Sequence, residues 1–114
     1  DCSYILDVNT TQHSGSHDIT VLEAHGGVLI GKNTSGTTAF NLPAAVAGMH
    51  CRIINIGSGI NVVTSSGDSL NGVTNSASTA TLAAAITGVG SALELTCIAD
   101  GAWIANNMAA PAAT

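Results

Sequence analysis

Charge is what this chain has least of. Asp, Glu, Lys and Arg make up 8% of its 114 residues, against about 25% in an average soluble domain. Lys32 and Arg52 are the only fixed cations, and the net charge is −5. Binding a nucleic-acid backbone takes most of its affinity from clustered cations that neutralise phosphates, so two separated cations argue against a nucleic-acid partner. Aromatic side chains are as scarce: Tyr4, Phe40 and Trp103 occur once each by type, and small side chains must therefore fill the core. No run approaches the ~20 consecutive apolar residues of a membrane-spanning helix. The start Asp1-Cys2-Ser3 shows no basic segment ahead of an apolar one, so no leader peptide is expected and synthesis in a cytoplasm is.

Three cysteines, Cys2, Cys51 and Cys97, have no metal-ligand spacing and leave one unpaired whatever happens. Cys51 and Cys97 fall in apolar strand-like segments, where a reduced thiol behaves as a small apolar side chain; a Cys51–Cys97 disulfide is the alternative.

What the chain does have is a succession of short β-branched segments separated by Gly, Ser and Asn. Their length and bounding turn formers predict strands over residues 19–24, 27–31, 37–42, 51–56, 60–65, 79–86, 91–98 and 102–106. Ile53-Ile54 and the run Leu93 to Ile98 put apolar residues on both faces, which suits strands covered on both sides. Asn71-Gly72 offers two positions for positive φ in a tight hairpin. Pro43 closes the strand ending at Leu42, and Ala44 to Ala47 has the length of one helical turn with Gly48 as its stop. No repeat of fixed period is visible, which argues against a solenoid. The expected fold is an all-β, antiparallel β-sandwich or jelly-roll-like single domain with an extended N-terminal arm. Its expected divisions are an arm at 1–18, a body at 19–107 and a loose tail at 108–114.

Candidate chemistry is thin. Gly26 to Asn33 approaches the phosphate-binding loop G-x-x-x-x-G-K-[ST], but Val28-Leu29-Ile30 reads as strand and Asn33 replaces the hydroxyl that holds magnesium. His13 and His17 stand four apart with Asp18 after them, and His25 and His50 lie elsewhere. Spacing of four brings two ligands to one face in a helix, which Gly15 and its flanking serines oppose, so these histidines are read as part of a solvated loop, with a site shared by three copies around an axis as the alternative. The carboxylates are scattered without an acid/base partner. No catalytic, cofactor-binding or metal-binding residue is assigned, and no enzyme is expected.

In order, Leu42-Pro43-Ala44-Ala45-Val46-Ala47-Gly48-Met49, Cys51-Arg52-Ile53-Ile54-Asn55-Ile56, Gly67-Asp68-Ser69-Leu70-Asn71-Gly72 and Leu93 to Trp103 resemble a β-rich module of tailed-phage virion proteins, in particular capsid decoration (cement) proteins and head- or tail-fibre parts. The resemblance implies a virion structural protein on the outer capsid surface, made in the host cytoplasm, that bridges major capsid protein subunits. Sparse charge fits a surface shared with other subunits, and a homo-oligomer is expected, a trimer before a dimer. Tyr4, Ile5, Leu6 and Val8 are the candidate interface residues of the arm. The competing expectation is a fibre or adhesin module that binds host surface glycans. It is opposed by the shortage of aromatic faces, since recognition surfaces favour such side chains.

Overall fold

Side chains of a strand alternate between its two faces, and that alternation organises the interior. The computed structural model describes residues 10–75 and 83–108. Eleven strands follow in chain order: β1 (Thr10–His13), β2 (His17–Asp18), β3 (His25–Gly31), β4 (Thr38–Asn41), β5 (His50–Asn55), β6 (Ile60–Val63), β7 (Ser69–Leu70), β8 (Val73–Thr74), β9 (Ala83–Ile86), β10 (Ala92–Ala99) and β11 (Ala102–Met108). Seven form one sheet in the order β1-β3-β5-β10-β11-β7-β8, and four form a second in the order β2-β4-β6-β9. Leu29, Cys51, Ile53, Leu93, Leu95, Cys97 and Trp103 of the first sheet share one apolar cluster with Phe40, Ile60, Val62 and Ile86 of the second.

The strand-rich character agrees with expectation; the antiparallel sandwich or jelly roll does not. β1, β3 and β5 run parallel, as do β2, β4 and β6. Because the first six strands alternate between the sheets, the chain winds as successive rungs of a coil. Thr10 lies opposite Val28 and Val28 opposite Arg52, while His17 lies opposite Phe40 and Phe40 opposite Val62. The expectation against a solenoid winding is overturned too: rungs of unequal length repeat the path without repeating the sequence. Antiparallel pairing enters only with the later strands, where β9 joins β6, β10 inserts between β5 and β11, and β8 folds back on β7.

Two further expectations fail for local reasons. Residues 19–24 are a turn, not a strand. Thr20 and Glu23 form a reciprocal cap: the Glu23 carboxylate accepts the Thr20 amide at 2.9 Å, the Thr20 hydroxyl accepts the Glu23 amide at 3.2 Å, and the Ala24 amide returns to the Thr20 carbonyl at 3.0 Å. Ala44 to Ala47 makes no helical turn, because distant groups take its backbone. The Ala45 amide donates to Asp68 Oδ2 and the Ala47 amide to Asp100 Oδ1, both at 2.9 Å, and the Ala45 carbonyl accepts from Gly101 at 3.1 Å. The Asn71-Gly72 hairpin is as expected, with φ of 51° and 87°, and it joins two strands too short for a hydrophobic pattern to mark. β9 is strand at Ala83–Ile86, as expected for that part of residues 79–86. Residues 79–82 of that expected strand, and Tyr4, Ile5, Leu6 and Val8, lie outside the described residues.

Candidate functional site

The coil brings together three side chains that the sequence leaves apart. His13 ends β1 at the edge of the large sheet, and His17 begins β2 at the edge of the small one. Ser14-Gly15-Ser16 carries the chain from one sheet to the other. The two imidazoles stack with centroids 3.6 Å apart and planes 15° from parallel. Both stand edge-on to the buried Phe40 ring, at 5.8 and 6.1 Å, an arrangement that the quadrupole of an aromatic face favours. The next turn then sets Glu23 beside them: His17 Nε2 lies 2.8 Å from Oε1 and 3.1 Å from Oε2. One donor atom from each of His13, His17 and Glu23 lies within 4.8 Å of the other two.

This replaces the solvated loop expected for the histidines. Both rings are partly buried, and Glu23 is 6% exposed. Burial lowers the pKa of His13 below the usual 6.5; the His17 ring lowers it further, Glu23 opposes the shift, and Lys32 adds to it. Asp18, next to His17 in sequence, is directed elsewhere and accepts the Asn41 side-chain amide at 2.8 Å. His25 and His50 pair in register where β3 and β5 begin, away from this cluster. The missed member is Glu23, and the signal for it was Thr20-Val21-Leu22-Glu23, a Thr-x-x-Glu capping sequence.

A second concavity, of about 260 Å³, lies on the outer face of the large sheet, where Gly26 and Gly27 leave space beside His50, Arg52 and Thr96. Arg52 pairs with Glu94, directly opposite in the β5–β10 register, and both side chains are solvated. Cys51 lines the groove but supplies no nucleophile: burial, with the Glu23 charge adding to it, pushes its thiol up to about 12, and only a thiolate attacks. Cys97 is buried and free as well, and burial raises its pKa too. The segment Gly26 to Gly31 is strand, so no loop is present there to wrap a phosphate.

The Cys51 shift has a consequence for stability. The folded pKa lies above the ordinary 9.0, so the contribution of the neutral thiol is complete below pH 9.0 and is lost as pH rises toward about 12. Within that window wild type should lose up to about 1.4 kcal/mol per pH unit relative to Cys51→Ala. Urea midpoints of both proteins at about pH 8 and 10.5 test this; parallel losses would contradict it. Comparison of the chain with protein-family models and with curated proteins gives no match.

Proposed function

We propose that this protein is a virion structural component that decorates the outside of a tailed-phage capsid, bridging major capsid protein subunits as a homo-oligomer, with a trimer favoured. The observation that supports it most is a set of exposed apolar side chains on neighbouring elements. Val21, Leu22, Val46 and Ile98 are each more than half exposed. They sit on elements that backbone hydrogen bonds tie together: His50 to Ala24 at 2.8 Å, and Gly48 to Cys97 at 2.9 Å. Burying such a side chain contributes about 1.5–3 kcal/mol, while association costs about 4–15 kcal/mol. Because each of the four is already a little under half buried, one copy recovers about 3–6 kcal/mol from them, which falls at or below the cost, and several copies acting together are needed to exceed it. That arithmetic favours an oligomer on a repeating surface over a lone monomer on a single partner.

Glycan binding is the weaker reading, because Phe40 and Trp103 are fully buried and offer no face on which a sugar can stack. The test is occupancy on expanded capsids lacking the protein, measured by electron cryomicroscopy for wild type and for Leu22→Asp/Ile98→Asp. The double variant should lose at least about tenfold in affinity, the equivalent of 1.4 kcal/mol. Unchanged occupancy would remove these side chains from the mechanism. Absence of wild type from capsids, together with strong retention on a glycan array, would favour the adhesin.

A further inference from the structure

We propose that His13, His17 and Glu23 form a binding site for one divalent transition-metal ion of the zinc type, which fastens the first rung of the coil. Two imidazoles and a carboxylate are a donor set that such ions accept, with bonds of about 2.0–2.2 Å and a fourth position open to water. On a tetrahedron those bonds place neighbouring donors about 3.4 Å apart. His17 Nε2 and the Glu23 carboxylate are already that close, at 2.8 and 3.1 Å, and the whole set lies within 4.8 Å. The remaining adjustment falls on His13. Nitrogen lone pairs of two stacked rings run side by side and cannot meet at one ion, so the His13 ring must turn out of the stack. That turn gives up the stack on His17 and the contact with Phe40, while the His13 carbonyl can go on accepting the Lys32 amide.

The surroundings hold the carboxylate in place. Glu23 Oε1 accepts from the Thr20 amide at 2.9 Å and the Thr20 hydroxyl at 3.2 Å. Outer hydrogen bonds of this kind orient metal ligands and are costly to remove. Coordination replaces hydrogen bonding at His17: the ion takes the place of the proton between Nε2 and the carboxylate, and the ring carries its remaining hydrogen on Nδ1. The three ligands come from the edge strand of each sheet and from the turn before β3. Binding therefore ties both sheet edges to the next rung. Edge strands have one open side and are the natural places for fraying; β2 is only two residues long.

The experiment titrates the metal-free full chain with zinc chloride by calorimetry and repeats the titration with cobalt chloride, following the visible absorption of tetrahedral cobalt. One ion per chain is expected. His13→Ala, His17→Ala and Glu23→Gln should each weaken binding by about tenfold or more, while His25→Ala and His50→Ala should stay within about twofold. Zinc should also slow hydrogen exchange at the Lys32 amide, which donates to the His13 carbonyl at 2.9 Å, and at the Ile19 amide, which donates to Asn41 at 2.8 Å; the Cys97 amide, bonded to Met49, serves as reference. Glu23→Gln keeps the size and the Thr20 contacts of the native side chain, so its loss of binding is separable from misfolding by its circular dichroism. No binding by wild type, binding insensitive to all three substitutions, or one ion per three chains would each overturn the intrachain site.

Discussion

Replacing Trp103 with alanine should lower stability by about 3–5 kcal/mol, the range for removing a fully buried large aromatic side chain. Trp103 is 0% exposed, is one of the largest buried side chains, and lies in the cluster to which both sheets contribute. In register it stands opposite Cys97 of β10 on one side and Leu70 of β7 on the other, so its loss opens a void between two strand pairings. Among the described residues its indole N–H has no acceptor, and an unpaired buried donor is itself unfavourable. Trp103→Phe should therefore cost clearly less than the alanine variant, because it removes that donor while keeping a ring. Against a total stability of about 5–15 kcal/mol, the alanine variant is expected to lose a large share of its folded population on mild heating. Urea midpoints for Trp103→Ala, Trp103→Phe and the surface control Ile98→Ala settle the order. A cost below about 1 kcal/mol for the alanine variant would mean that the cluster collapses around the gap.

Local features of this fold were legible and long-range ones were not. The Asn71-Gly72 hairpin and the strand over Ala83–Ile86 followed from turn chemistry and segment length, and the structure agrees with both, whereas the core expected to be filled by small side chains also holds Phe40 and Trp103. Strand direction is different, because a strand of given composition pairs either way, and the partner lies a whole rung distant. The expectation that Ile53-Ile54 and the run Leu93 to Ile98 are covered on both faces fails: Arg52 and Thr96 are exposed and Ile98 is 63% exposed, so β5 and β10 bury one face each, and β5 runs between parallel β3 and antiparallel β10. The histidine–glutamate cluster was hidden for a related reason. Spacing of four was judged by the geometry of a helix, whereas here Ser14-Gly15-Ser16 passes between sheets and stacks the two rings. Glu23 was hidden because its segment reads as apolar strand, while the cap between Thr20 and Glu23 makes it a turn.

Gly27→Ala should be the most damaging methyl addition near that cluster. The Gly27 amide donates to the Glu23 carbonyl at 2.9 Å, and a Cβ on Gly27 would lie 2.3 Å from the same carbonyl oxygen and 3.1 Å from the carbon atoms behind it. These are backbone atoms, so no side chain can swing aside; either β3 shifts against β5 or the turn carrying Glu23 moves. Overpacking of this kind costs about 1–3 kcal/mol and more when the backbone must give, which sets the expected loss at about 2–4 kcal/mol. Gly57 makes an equally close approach, to the Asn33 carbonyl, and Gly57→Ala serves as a matched clash remote from Glu23. The two variants should differ in where they loosen the protein. Gly27→Ala should speed hydrogen exchange at the Thr20 amide, which rests on the Glu23 carboxylate, whereas Gly57→Ala should speed it at the Ser58 amide, bonded to Asn33 at 2.7 Å. Equal effects at both amides in both variants would mean that the rungs open as one unit, and a wild-type urea midpoint for Gly27→Ala would contradict the close approach of β3 to the turn.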